Sequence, residues 1–125
     1  MTPQELFVKA NRALESARLL LESGDVDGAC NRAYYAMFDA ARAALMASNA
    51  PVQPEVARTH SGLIAAFSLH LVKPGVIAIE HGRSLNKVED LRLIADYKDD
   101  PVSADKAAWA LEQAEKFVAV IGDML

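Results

Sequence analysis

The sequence predicts an all-α fold: a five-helix, mostly antiparallel up-and-down bundle forming one domain over residues 1–125. Three observations carry this. Residues 31–46 hold six Ala and neither Gly nor Pro, and Ala is the best helix former. Cap and breaker residues punctuate the rest of the chain at helical intervals. No strand-like alternation runs longer than four residues, and there is no internal repeat or low-complexity tract.

The central helix sets the arrangement. At about 100° per residue, Tyr34, Phe38, Ala41 and Leu45 fall on one line, with Ala33, Met37, Ala40 and Ala44 beside it. Only a narrow stripe is polar: Arg32, Tyr35, Asp39 and Arg42. A helix apolar over most of its circumference is surrounded by others.

The first helix starts at Thr2-Pro3-Gln4-Glu5, where Thr2 can cap, Pro3 suits the first helical position and Glu5 can complete a capping box. Leu6, Ala10, Ala13, Leu14, Ala17, Leu20 and Leu21 recur at helical spacing, and Ser23-Gly24 ends the run. Asp25 or Asp27 caps the central helix after a short turn, which makes the two helices antiparallel neighbours. Pro51 and Pro54 mark the loop that follows. A third helix is expected over residues 56–71, broken by Lys73-Pro74-Gly75. A fourth is expected over residues 76–97, with Gly82 weakening its first turns. Asp99-Asp100-Pro101 reads as a turn. Ser103 caps a fifth helix running to about Gly122. That helix carries one apolar stripe, Ala107, Leu111, Ala114, Val118 and Ile121, and a second set, Trp109, Phe117 and Val120, away from it. The second set either packs within the chain or contacts another chain, a homodimer included.

Composition narrows function. Hydrophobic residues make up 52% of the chain, which excludes wholesale disorder. A net charge of −4 argues against a broad duplex-binding surface, though not against a local Arg cluster. The single Cys30 has no disulfide partner; small apolar packing is the reading set against a reactive thiol. Residues 59–72 form the longest uncharged run, too short to span a bilayer and holding two His. The start lacks a basic segment followed by an apolar run, so a soluble, cytoplasmic protein is expected.

Two constellations can carry chemistry. On the central helix, Arg32 and Tyr35 lie at i, i+3, as do Asp39 and Arg42. Arg offers a rigid donor fork for phosphate or carboxylate, and Tyr a stacking face and a hydroxyl. The same stripe could equally be a solvated row of ion pairs. On the fourth helix, His81, Leu85, Val88, Arg92 and Ala95 share a band with Asp96 at its edge. Arg92 can pair with Asp96 at i, i+4. That pair either ties the helix to the bundle or orients a ligand-facing Arg. Tyr97 is expected to pack at the helix end. The three His, at positions 60, 70 and 81, lack the helical spacing of metal ligands, so neither a metal nor a cofactor is expected.

The run Arg32-Ala33-Tyr34-Tyr35-Ala36-Met37-Phe38, continued by Ala40-Ala41-Arg42, resembles the signature helix of the HEPN superfamily, in particular its small stand-alone prokaryotic members. Residues Leu85 to Tyr97, ending in Arg92, Asp96 and Tyr97, are similar to the second recurrent stretch of that group. The resemblance covers nearly the whole chain and implies the same bundle. It also implies a partner: small members resemble companions of a minimal nucleotidyltransferase in toxin–antitoxin-like pairs. The implied role is a homodimeric binding module whose polar stripe, Arg32, Tyr35 and Asp39 with Arg92 and Asp96, holds a nucleotide, an RNA phosphate or a partner's surface. Active ribonucleases of the superfamily share an Arg followed, after four to six residues, by a His. No Arg stands at that distance before His60, His70 or His81 here. The alternative is a divergent, metal-independent ribonuclease toxin in which Arg32, Tyr35, His81 or Arg92 replaces the missing pair. Of these, His81 could act as general acid or base.

Overall fold

The computed structural model describes residues 1–97 and 102–125; the expected turn at Asp99-Asp100-Pro101 lies outside the described residues. The described chain is all-α, with six α-helices rather than five: α1 (Pro3–Glu22), α2 (Val26–Ala47), α3 (Pro54–Ala57), α4 (His60–Phe67), α5 (Ile79–Tyr97) and α6 (Ala104–Met124).

The caps act as the residues suggest. Thr2 Oγ1 accepts from Glu5 N–H at 3.1 Å, and Glu5 Oε1 accepts in turn from Thr2 N–H at 3.3 Å. Asp25 Oδ1 accepts from Gly28 N–H at 2.9 Å, and Ser103 Oγ from Lys106 N–H at 3.2 Å. These bonds satisfy N–H groups that a helix leaves unpaired at its start. Gly24 takes φ 90, the left-handed conformation that lets the chain reverse from α1 into α2.

The expected third helix is divided. Thr59 Oγ1 accepts from Gly62 N–H at 3.0 Å and so starts a new helix, α4, three residues after Ala57. A side chain at Gly62 would run into the Val56 carbonyl and Thr59, so a glycine there lets α3 fold back onto α4. Beyond Phe67 the helix widens into a π-turn over Ser68–Val72, closed by Lys73 N–H on Ser68 O at 2.8 Å. Phe67, just before the wide turn, and Leu71, within it, are both buried in the core. Residues 76–78, expected to be helical, are not. Ile77 N–H bonds back to Leu71 O and its side chain is buried, which delays α5 until Ile79.

The central helix lies where its pattern implies. Thirteen of the 22 residues of α2 are buried, among them Tyr34, Met37, Phe38 and Leu45. It packs against α1, α5 and α6. Helix α1 packs against α2 and α6, and three of its five buried residues, Ala10, Ala13 and Ala17, are small. On α6 the apolar stripe Ala107, Leu111, Ala114, Val118 and Ile121 is buried, but so is Phe117, whose ring lies 5.2 Å from that of Phe67. The second apolar face therefore reduces to exposed Trp109 and half-buried Val120. Cys30, in the second turn of α2, is buried. Burial, with Asp27 and Asp96 adding to it, pushes its thiol up to about 11, which suits packing rather than reactivity.

Candidate functional site

The structure gathers residues from α2, α4 and α5 around two adjacent tyrosines. Arg92 is the anchor. It is 4% exposed, and a buried guanidinium requires partners. Its Nη2 donates to Glu89 Oε1 at 3.1 Å, its Nε to Glu89 Oε2 at 3.2 Å, and its Nη1 to Asp96 Oδ2 at 3.2 Å. The guanidinium also sits 5.1 Å from the Tyr34 ring centre and 5.8 Å from that of Tyr35, within cation–π range. Burial opposes its charge, but the two carboxylates outweigh burial and hold it protonated. The Arg92–Asp96 pair expected from spacing is present, and Glu89 at i−3 joins it.

Asp96 carries the network to α2. Asn31 Nδ2 donates to Asp96 Oδ2 at 3.2 Å, and Asn31 Oδ1 accepts from Arg32 Nε at 3.2 Å. The Arg32 guanidinium lies 5.1 Å from the Tyr35 ring centre. Among the described residues it has no carboxylate within ion-pair distance. Thus one arginine is fully clamped, whereas the other, half-buried on α2 beside a half-buried tyrosine, has no partner for its Nη donors among the described residues.

Tyr34 turns inward and is fully buried. Its hydroxyl meets His60 Nδ1 at 2.8 Å, which satisfies a phenol that would otherwise be stranded in the core. Burial, then the neighbouring Glu89 carboxylate, raises its pKa well above the usual tyrosine value. The His60 ring packs 5.3 Å from Phe38, 5.5 Å from Tyr34 and 5.9 Å from Tyr35. Thr59 places it there, because the cap makes His60 the first residue of α4.

His60 was not singled out from the sequence, and His81 was. The structure separates His81 from the cluster: its ring lies edge-on to Phe117, 6.4 Å away, on the side where α5 meets α6. The signal for His60 was indirect. A tyrosine on the apolar side of α2 needs a hydrogen-bond partner, and a histidine just after a Thr cap can supply one. Tyr97, expected to pack, is exposed.

Asp39 departs from a solvated ion pair. It is 5% exposed, and its nearest cation, Arg42 Nη1, stands 4.0 Å from Oδ1, beyond hydrogen-bond distance. Burial raises its pKa, opposed by Lys9, Arg42 and Arg32. A carboxyl with a folded pKa above its unfolded value holds more protons when folded between the two. Its stabilising contribution is full below the ordinary carboxylate range and lost as pH rises through the raised value. Asp39→Asn is therefore expected to raise the melting temperature more at about pH 7 than at about pH 4 in calorimetry. A variant less stable than the parent at about pH 7 would mean that the three cations fully stabilise the carboxylate.

Among the described residues no three His, Cys, Asp or Glu side chains converge as a metal-ligand set, and no helix is long and apolar enough to cross a membrane.

Comparison with known proteins agrees with this architecture. The HEPN domain model matches residues 3–124. A UPF0332 protein of Gloeobacter violaceus is 35% identical over all of this chain and 98% of its own length. A protein of Methanocaldococcus jannaschii named as a candidate toxin is 36% identical over 92% of this chain and 82% of its own. A UPF0332 protein of Thermotoga maritima is 35% identical over 71% of this chain and 64% of its own. With the family match spanning nearly its whole length, the chain belongs to the HEPN domain family.

Proposed function

We propose that this HEPN chain is a binding module of a toxin–antitoxin-like pair, acting in the cytoplasm as a homodimer. Its open α2 face holds a phosphate-bearing group, from a nucleotide or RNA, or the surface of a nucleotidyltransferase partner. The observation that carries this reading is the contrast between the arginines. Arg92 is spent on Glu89 and Asp96, whereas Arg32 keeps its Nη donors beside the Tyr35 ring. A planar fork next to an aromatic face suits phosphate plus base stacking, or a partner's carboxylate. Relatives named as candidate toxins support the setting.

The test is co-purification from the native host, followed by mass spectrometry, for the parent and Arg32→Ala. The variant is expected to melt within about 4 °C of the parent and to lose the bound nucleotide or partner. Sedimentation of the same samples reads the dimer, and a monomer at tens of micromolar would remove that element. Unfolding of Arg32→Ala would make the Asn31–Arg32 link structural and defeat the reading.

One observation favours the enzyme reading enough to test it. His60, Tyr34 and Arg92 meet in one cluster, although the sequence lacks the ribonuclease pair. A metal-independent ribonuclease needs a base for the ribose hydroxyl and a free cation for the phosphorane charge. Here Arg92 is committed to two carboxylates. The isolated protein is therefore expected to leave total RNA and tRNA intact. Cleavage that survives EDTA and disappears in His60→Ala, but not in His81→Ala, would replace the binding module with an enzyme.

A further inference from the structure

A cavity lies away from the tyrosine cluster, between the C-terminal end of α2, the loop after it, and α3. Its volume is about 260 Å³. Its walls include Leu45, Met46, Val52 and Pro54, and two arginines, Arg42 and Arg58, line it with them. Among the described residues no hydroxyl or amide side chain does.

The walls are preformed. Asn49 takes φ 55, a left-handed turn that ends α2 and sends the chain back across it. Ala50 N–H then bonds to Leu45 O at 3.1 Å, Val52 N–H to Ala50 O at 2.8 Å, and Val56 N–H to Gln53 O at 3.0 Å. A site whose backbone is already ordered loses little on binding. The cations have capacity left. Arg42 stands 4.0 Å from Asp39, too far for a hydrogen bond. Arg58 is exposed and, among the described residues, pairs with no carboxylate.

We propose that this cavity binds a small organic anion: a compact apolar body ending in a carboxylate or phosphate held by Arg42 and Arg58. Apolar walls favour an aliphatic or aromatic body, and the lack of hydroxyl and amide side chains disfavours a sugar or nucleobase. At the roughly 30 Å³ that a water occupies, the space admits roughly nine non-hydrogen atoms. The guanidinium forks match either head group. The site shares Arg42 with the polar stripe of α2, but Arg32 and Tyr35, which the proposed function assigns to partner or nucleotide, lie outside its lining.

The experiment is an amide-resolved NMR titration of the whole chain with sodium octanoate, octyl phosphate and octan-1-ol. Saturable shifts are expected at Leu45, Val52 and Ala57, with octanoate binding at about a millimolar or tighter. Octan-1-ol should bind about tenfold more weakly, because a charged acceptor gains more from an arginine donor. Arg58→Ala, at an exposed position that should not affect folding, should weaken octanoate about fivefold to tenfold and leave octan-1-ol unchanged. The tighter of octanoate and octyl phosphate identifies the head group. The proposal is overturned by any of three results: no saturable shift up to about 10 mM, octan-1-ol binding as tightly as octanoate, or octanoate affinity unaltered by Arg58→Ala.

Discussion

Arg92→Ala is expected to destabilise the protein by about 3–5 kcal/mol in urea melts, the usual loss when one partner of a buried ion pair is removed. The loss comes less from the contacts deleted than from the charge left behind. Glu89 is 13% exposed at its side chain and sits beside the buried Tyr34 hydroxyl. Without the guanidinium it must ionise without a partner or take up a proton. Asp96 would keep Asn31 as a donor and is better solvated, so it suffers less. The mechanism makes a second prediction testable in the same melts. Arg92→Met combined with Glu89→Leu should recover most of the loss, because replacing both members of a buried pair by apolar groups is often close to neutral. A loss under about 1 kcal/mol for Arg92→Ala would place the residue among ordinary surface positions and undo this account.

Phe38→Ala should cost about 3–5 kcal/mol, the range for emptying a buried aromatic site. Phe38 packs within 6.0 Å of Tyr34 and Tyr35 and closer still to His60, so the cavity would open at the junction of α2 and α4. Alanine has the higher helix propensity, but the gain is at most ~0.7 kcal/mol and does not offset the cavity. A loss below about 1 kcal/mol would show that α2 is not the centre of the bundle. Because Phe38 and Arg92 both touch Tyr34 and Tyr35, their effects should not simply add, and a double-mutant cycle would measure the coupling.

The site was legible in proportion to how local its interactions are. Arg92–Asp96 could be read from spacing because i, i+4 residues on a helix are neighbours in any fold. Arg32 beside Tyr35 is likewise an i, i+3 contact. Glu89, at i−3 from Arg92, is equally local, but spacing alone does not say that one guanidinium takes carboxylates on both sides. His60 and Asn31 were overlooked for a different reason. Their partners are 26 and 65 residues distant in sequence. Asp39 misled because helical periodicity places it on the polar stripe, whereas Lys9 of α1 and the neighbouring arginines surround it.

The same division runs through the whole chain. The long helices, the caps at Thr2 and Ser103, and the broad apolar arc of α2 follow from the residues alone, whereas the choice of Asp25 over Asp27 as the cap of α2 did not. A cap bond reaches three residues and a helical face repeats within four, so both are complete before any two helices meet. The break at Thr59, the wide turn at Ser68–Val72 and the late start of α5 did not follow. At these departures from regular helix Phe67, Leu71 and Ile77 are buried, and Ile77 is tied back to Leu71 O. Packing also chose which histidine stands beside the tyrosines, because the docking of α4 and α5 on α2 put His60 against Tyr34 and left His81 against Phe117. Burial of those helices against one another, which no short window of sequence contains, set both outcomes.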